Sequence, residues 1–134
     1  MEQLITTVEQ AREIFQNDIY ATKTTGIVIV DAKKHYAKCT LQIEEKHLNA
    51  NKTVMGGALF TLADFTFAVA SNFDHPSTVS ITSQITYLSS AKEGLLTAIA
   101  ECEKDGRRLS TYTITITDER NRKIAFVTVT GMCE

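Results

Sequence analysis

Asp64 stands in the middle of the most apolar stretch of the chain, Met55-Gly-Gly-Ala-Leu-Phe-Thr-Leu-Ala-Asp64-Phe-Thr-Phe-Ala-Val-Ala-Ser-Asn72, and that stretch opens on Gly56 and Gly57. An unpaired carboxylate in apolar surroundings is costly or shifts its pKa, so a chain that keeps one there usually has a use for it. The glycine pair opens a helix, whose first backbone N–H groups have no partner within it and which carries about half a positive charge at that end. Such a terminus suits a carbonyl oxygen that becomes anionic during acyl transfer. Asp64 and Gly56 are therefore the candidate catalytic pair, a base or nucleophile and an oxyanion donor.

The spacing sets a geometric condition. Eight helical residues at about 1.5 Å each separate Gly56 from Asp64 by roughly 12 Å. Proton transfer or attack needs contact near ~3 Å. If both groups act on one carbonyl, they come from different chains. Two helices packed antiparallel about a two-fold axis would set Asp64 of one near Gly56 of the other and create two equal sites in a homodimer.

The elements that must hold this helix can be read on either side of it. Leu4, Ile5, Val8, Ala11, Ile14, Phe15 and Ile19 recur at three- and four-residue steps, which predicts an amphipathic flanking helix over about 4–20. Segments 26–30 and 39–43 read as strands joined by a hairpin through Ala32 to His35. After Pro76, segments 78–87, 95–103, 108–117 and 123–130 are β-rich. Asp105-Gly106 between two of them predicts a tight primed turn with positive φ angles. A helix that is apolar nearly all round has to be enclosed. The expected fold is α+β, a curved antiparallel sheet wrapped around one long central helix, with 1–134 forming a single domain.

Composition bounds the partners. At 134 residues the chain has the length of one domain, and 14 Lys+Arg against 16 Asp+Glu give a net charge of −2. No nucleic acid partner is expected. The uncharged run 53–63 is too short to span a bilayer, so no membrane partner is expected either. The N-terminus lacks the basic start and apolar core of a signal peptide, which predicts a cytoplasmic location. Cys39, Cys102 and Cys133 show no C-x-x-C spacing, and His35, His47 and His75 are scattered. Reduced thiols and no metal are expected.

The segment 49–64, Asn-Ala-Asn-Lys-Thr-Val-Met-Gly-Gly-Ala-Leu-Phe-Thr-Leu-Ala-Asp, with Phe67-Ala-Val-Ala-Ser-Asn72 after it, resembles the phenylacetate-pathway (PaaI-like) type of hotdog-fold acyl-CoA thioesterase. The likeness continues through Val79 to Lys92, Asp105-Gly-Arg107 and the last strand, covering roughly 25–131. The resemblance implies hydrolysis of an acyl-CoA thioester to free acid and coenzyme A without a cofactor. It implies Asp64 as general base or nucleophile, the Gly56 N–H as oxyanion donor, and Asn49 contacting the attacking water or the carboxylate across the interface. It further implies a water-holding role at Ser80 and, commonly, a homotetramer built of dimers.

One position departs from the pattern: the family's histidine before the two glycines is Met55. A thioether cannot donate and accepts only weakly, though it can line an acyl pocket. Met55 and Gly57 are thus counted with the substrate-binding residues, as are Ser80, Lys92 and Arg107, the last two for coenzyme A phosphates. Each has a plainer reading. Asp64 can be a satisfied buried carboxylate, Asn49 a turn former, Ser80 a strand residue, and Lys92 and Arg107 solvated charges. The rival function is an acyl-CoA binding or sensing protein that lost turnover with the histidine. Hydration or dehydration on the same fold is the weaker third reading, since no histidine lies on the Asp64 helix.

Overall fold

The computed structural model describes residues 4–134. Six strands form one antiparallel sheet: β1 (Val28–Lys33), β2 (Tyr36–Gln42), β3 (Thr78–Tyr87), β4 (Leu95–Asp105), β5 (Leu109–Thr117) and β6 (Lys123–Cys133). Their order across the sheet is β1-β2-β4-β5-β6-β3. The sheet packs against the central helix α2 (Gly56–Asn72), and a short α1 (Val8–Phe15) lies near β1.

Alternation explains the core. Ala37, Cys39 and Leu41 of β2, Leu96, Ala98 and Ala100 of β4, and Tyr112, Ile114 and Ile116 of β5 turn inward and are buried. They meet Leu59, Leu62, Ala63, Phe65, Phe67, Val69 and Ala70 of α2. Phe67 and Tyr112 make an edge-to-face pair with centroids 5.3 Å apart, so Phe67 is a core residue.

Two features decide how the site is presented. Strand β3 is an edge, exposed along most of its length, with Val79, Ile81 and Tyr87 at 41%, 50% and 52% exposure. On α2, Gly57 is exposed and Phe60, Thr61, Asp64 and Ala68 are only half-buried. Those five positions fall on one helical face, so α2 is enclosed except along one stripe.

Three expectations are corrected. The flanking helix is shorter than 4–20: Thr7 caps α1 in a capping box, and before it Ile5 bridges to Phe73. The chain turns at Gln16-Asn17, where Asn17 donates to the Ile14 carbonyl, then resumes as a π-helical turn over Tyr20–Thr25 that ends at Gly26 with φ 93°. Asn and Asp compete for backbone groups in this way, which breaks a helix that apolar periodicity alone would continue. The first strands lie two to three residues from their expected places, because Gly26 closes the π-turn instead of opening β1.

The Asp105-Gly106 link is not a primed turn either, since neither residue is among those with positive φ. It spans three residues, closed by the Gly106 N–H donating to the Leu109 carbonyl at 2.9 Å, with a register irregularity between Cys102 and Lys104. Among the described residues, no helix is long and apolar enough to cross a membrane.

Candidate active site

The start of α2 is held by its approach. His47, buried, accepts the Glu44 N–H on Nδ1 at 2.9 Å, which leaves Nε2 to donate to the Thr25 carbonyl at 2.8 Å. Its own carbonyl accepts the Met55 N–H at 2.8 Å. One histidine therefore ties the π-turn to the residue before the helix.

Met55 is the N-cap and offers no side-chain cap. Its carbonyl accepts from Ala58 and Leu59. Among the described residues no backbone acceptor reaches the Gly56 or Gly57 N–H. These are the unpaired donors at the positive end of the helix that an oxyanion requires. The Tyr87 ring lies directly over Gly56.

Asp64 faces a cleft of about 470 Å³ lined by Asp18, Ile19, Tyr20, Ala21, Phe60, Thr61, Phe65 and Ala68. Burial, and then the charge of Asp18, push its carboxyl above the usual carboxylate range. The Asp18 carboxyl is itself raised by burial. The Asp64 carboxylate thus lies in an apolar cleft beside a second acid, the setting that makes a carboxylate more basic. Phe60 and Phe65 line this cleft, Phe65 stacking edge-on against Phe15 at 5.7 Å. The π-turn residues Tyr20 and Ala21 form its outer wall.

The other candidate residues are distributed as follows. Asn49 accepts on Oδ1 from the Asn51 and Thr53 N–H groups at 2.9 and 3.2 Å, so its carbonyl oxygen builds the loop and its amide N–H₂ stays available. Ser80 sits exposed on edge strand β3, beside an irregularity in the pairing with β6. Met55 is 52% exposed at the helix mouth. Lys92 lines a second cleft with Asp118, Arg120 and Arg122, just before β4 begins. Arg107 follows the far end of β4. Ten steps of strand place the two roughly 30 Å apart, so within one chain they do not serve one ligand.

The structure therefore brings Met55, Gly56 and Gly57 together and sets Asp64 apart on the same helix. Sequence reasoning missed Tyr87, Asp18 and the structural role of His47. Asp18, one of several charged residues on an amphipathic segment, carried no distinguishing signal, and neither did Tyr87 or His47.

A curved six-stranded antiparallel sheet around one long helix is the hotdog architecture. The Thioesterase superfamily pattern matches residues 51–125, from the loop before α2 into β6. A relative from Archaeoglobus fulgidus is 37% identical over 72% of this chain, and the match spans 64% of that relative's own length. The Escherichia coli acyl-coenzyme A thioesterase PaaI is 30% identical over 87% of this chain and 84% of its own. The structure of the E. coli PaaI protein superposes with a TM-score of 0.88, covering 94% of this chain and 92% of that one. A Streptococcus mutans protein, smu.793, solved with acetyl CoA, has a TM-score of 0.78 at 28% identity and covers 81% of this chain and 88% of its own. The chain belongs to the thioesterase superfamily, as a PaaI-like hotdog protein.

Proposed function

We propose that the chain hydrolyses acyl-CoA thioesters to free acid and coenzyme A, with each site shared between two chains. The Gly56 N–H holds the carbonyl oxygen of the thioester as it becomes an oxyanion, and Asp64 of the partner activates water or attacks the carbonyl directly. Asn49 directs its free amide N–H₂ toward the attacking water or the carboxylate. Met55 and Gly57 flank the acyl group, Ser80 contacts substrate from β3, and Lys92 of one chain and Arg107 of another meet the coenzyme A phosphates from the loops at either end of β4. The carrying observation is that an activated carboxylate and unpaired amide donors lie on one unbroken helix, about 12 Å apart.

A self-partner is supported by two open surfaces: the long exposed edge of β3, which carries Val79, Ile81 and Tyr87, and the half-buried stripe of α2 that carries Asp64. An uncovered edge of that length is a pairing template, and a second copy closes it. Pairing of dimers into a tetramer accords with the family. The substrate class follows from the PaaI relative, named an acyl-coenzyme A thioesterase, and from the acetyl CoA held by the S. mutans structure. The free cysteines Cys39, Cys102 and Cys133 accord with a cytoplasmic setting.

The test is thioester turnover by chains mixed after separate inactivation. Asp64→Asn and Gly56→Val chains are each inactive, while an equimolar mixture that exchanges subunits recovers about one quarter of wild-type turnover, since half the dimers hold one intact site. No recovery from a mixture shown to exchange would disprove the shared site. If wild-type protein is stabilised by acyl-CoA yet releases no coenzyme A from a broad acyl panel, the binding-protein reading replaces hydrolysis.

A further inference from the structure

His35, His75 and Asp105 come from three separate segments: the β1–β2 turn, the link after α2, and the end of β4. The fold brings their donor atoms within 4.8 Å of one another. His35 Nε2 is 3.1 Å from Asp105 Oδ2, and His75 Nε2 is 3.2 Å from both carboxylate oxygens. Their side chains are 35%, 12% and 28% exposed, so the cluster is recessed yet reachable.

The protons on His75 decide what this cluster is for. Its Nδ1 lies 2.9 Å from the Pro76 carbonyl, which can only accept, so Nδ1 carries the hydrogen. Thr78 Oγ1, itself donating to the same carbonyl at 3.0 Å, sits 3.2 Å from that Nδ1. In neutral imidazole the lone pair is then on Nε2, pointing at a carboxylate that also has only lone pairs. Two such groups are reconciled either by a further proton on the ring, which makes an imidazolium–carboxylate pair, or by a metal ion held between them. With two histidines on one carboxylate, a metal avoids setting two imidazolium charges side by side. His35 directs a second ring nitrogen to the same carboxylate, so the centre is approached by three donors.

We infer that His35 Nε2, His75 Nε2 and an Asp105 carboxylate oxygen bind one divalent transition-metal ion of the zinc class, with a fourth position left to water. Zinc bonds of about 2.1 Å at tetrahedral angles put neighbouring donor atoms roughly 3.4 Å apart. The two histidine-to-carboxylate separations, 3.1 and 3.2 Å, are close to this, and the whole set lies within 4.8 Å, so binding draws the two imidazoles together. Imidazole nitrogens select such ions over magnesium or calcium. A metal-bound histidine commonly donates its other N–H to a backbone carbonyl, as His75 does to Pro76. This reverses the sequence expectation of no metal, because the ligands are spaced by the fold and not along the chain. Asp64 lies more than about 12 Å away along α2, so the ion fastens one end of the sheet to the exit of the helix and takes no part at the candidate active site.

The experiment titrates Zn²⁺ and Co²⁺ into the full chain, free of added histidines and stripped with chelator, by calorimetry and visible absorption. One ion per chain is expected, with Co²⁺ bands of a four- or five-coordinate nitrogen and oxygen site and no thiolate charge-transfer band. Zn²⁺ raises the melting temperature. His35→Gln, His75→Gln and Asp105→Asn each weaken binding by about 10–100-fold, whereas Glu103→Gln, two residues before Asp105 on β4, leaves it unchanged. His35 and Asp105 are exposed enough for their variants to fold, which far-ultraviolet dichroism checks. Absence of saturable binding, unchanged affinity in the His35→Gln/Asp105→Asn double variant, or stabilisation by acid alone with no metal dependence would overturn the inference.

Discussion

The ring of Tyr87, at the end of edge strand β3, lies so close over Gly56 that a β-carbon there would come 2.8 Å from the phenol oxygen and 2.9 Å from Cζ. Glycine at the mouth of α2 leaves room for this ring where β3 crosses the helix. Tyr87 is half exposed and able to swing outward, so Gly56→Ala is expected to fold with stability within ~1 kcal/mol of wild type. The displaced ring then crowds the oxyanion position, and turnover falls on the order of 10²-fold. Adding Tyr87→Ala to Gly56→Ala restores part of the rate, which a double-mutant cycle in kcat/KM reads directly.

Asp64→Asn removes the group that accepts the proton or attacks, and turnover is expected to drop about 10²–10⁴-fold. Its effect on stability has the opposite direction. The Asp64 carboxyl holds its proton more tightly in the folded chain than in the unfolded one, so stability is greatest below the ordinary carboxylate range. It declines as pH rises through the raised folded value. Asparagine does not titrate. The variant should therefore melt above wild type near pH ~7 and level with it below about pH 3.5, as scanning calorimetry across that range would show.

Asp18 shares the Asp64 cleft, and of the two acids Asp64 carries the repulsion because the more exposed Asp18 ionises first. Asp18→Asn should therefore move the acid limb of the kcat/KM profile to lower pH, while the plateau rate changes less than the limb position. An unmoved limb would separate the two carboxylates electrostatically.

His47→Ala cuts the link between the Thr25 carbonyl and the Met55 approach, leaving the buried Thr25 carbonyl and the part-buried Glu44 N–H without these partners. A loss of about 1–3 kcal/mol in denaturant unfolding is expected. Turnover falls as well, because Gly56 loses its fixed approach. Asn72→Ala serves as the contrast. Asn72 closes the other end of α2 by bonding Ala68 and both backbone groups of Thr78, so its loss lowers stability with a smaller change in rate.

Much of this protein is written in local pattern. The apolar run 56–72 allows only an enclosed helix, and period-two alternation from Leu95 onward marks the later strands, because helix and strand periodicities are properties of neighbouring residues. The same string contains the chemistry of Asp64, Gly56 and Gly57, and helical rise alone forbids them one shared substrate in a single chain. The tertiary structure decided the rest. It placed β3 at the edge with Tyr87 over Gly56, brought Asp18 beside Asp64, and set Lys92 and Arg107 at opposite ends of β4. It also drew His35, His75 and Asp105 to one point. Such meetings depend on strand order, register and the path of turns, so residues up to 70 positions apart become neighbours with no trace of it in their spacing.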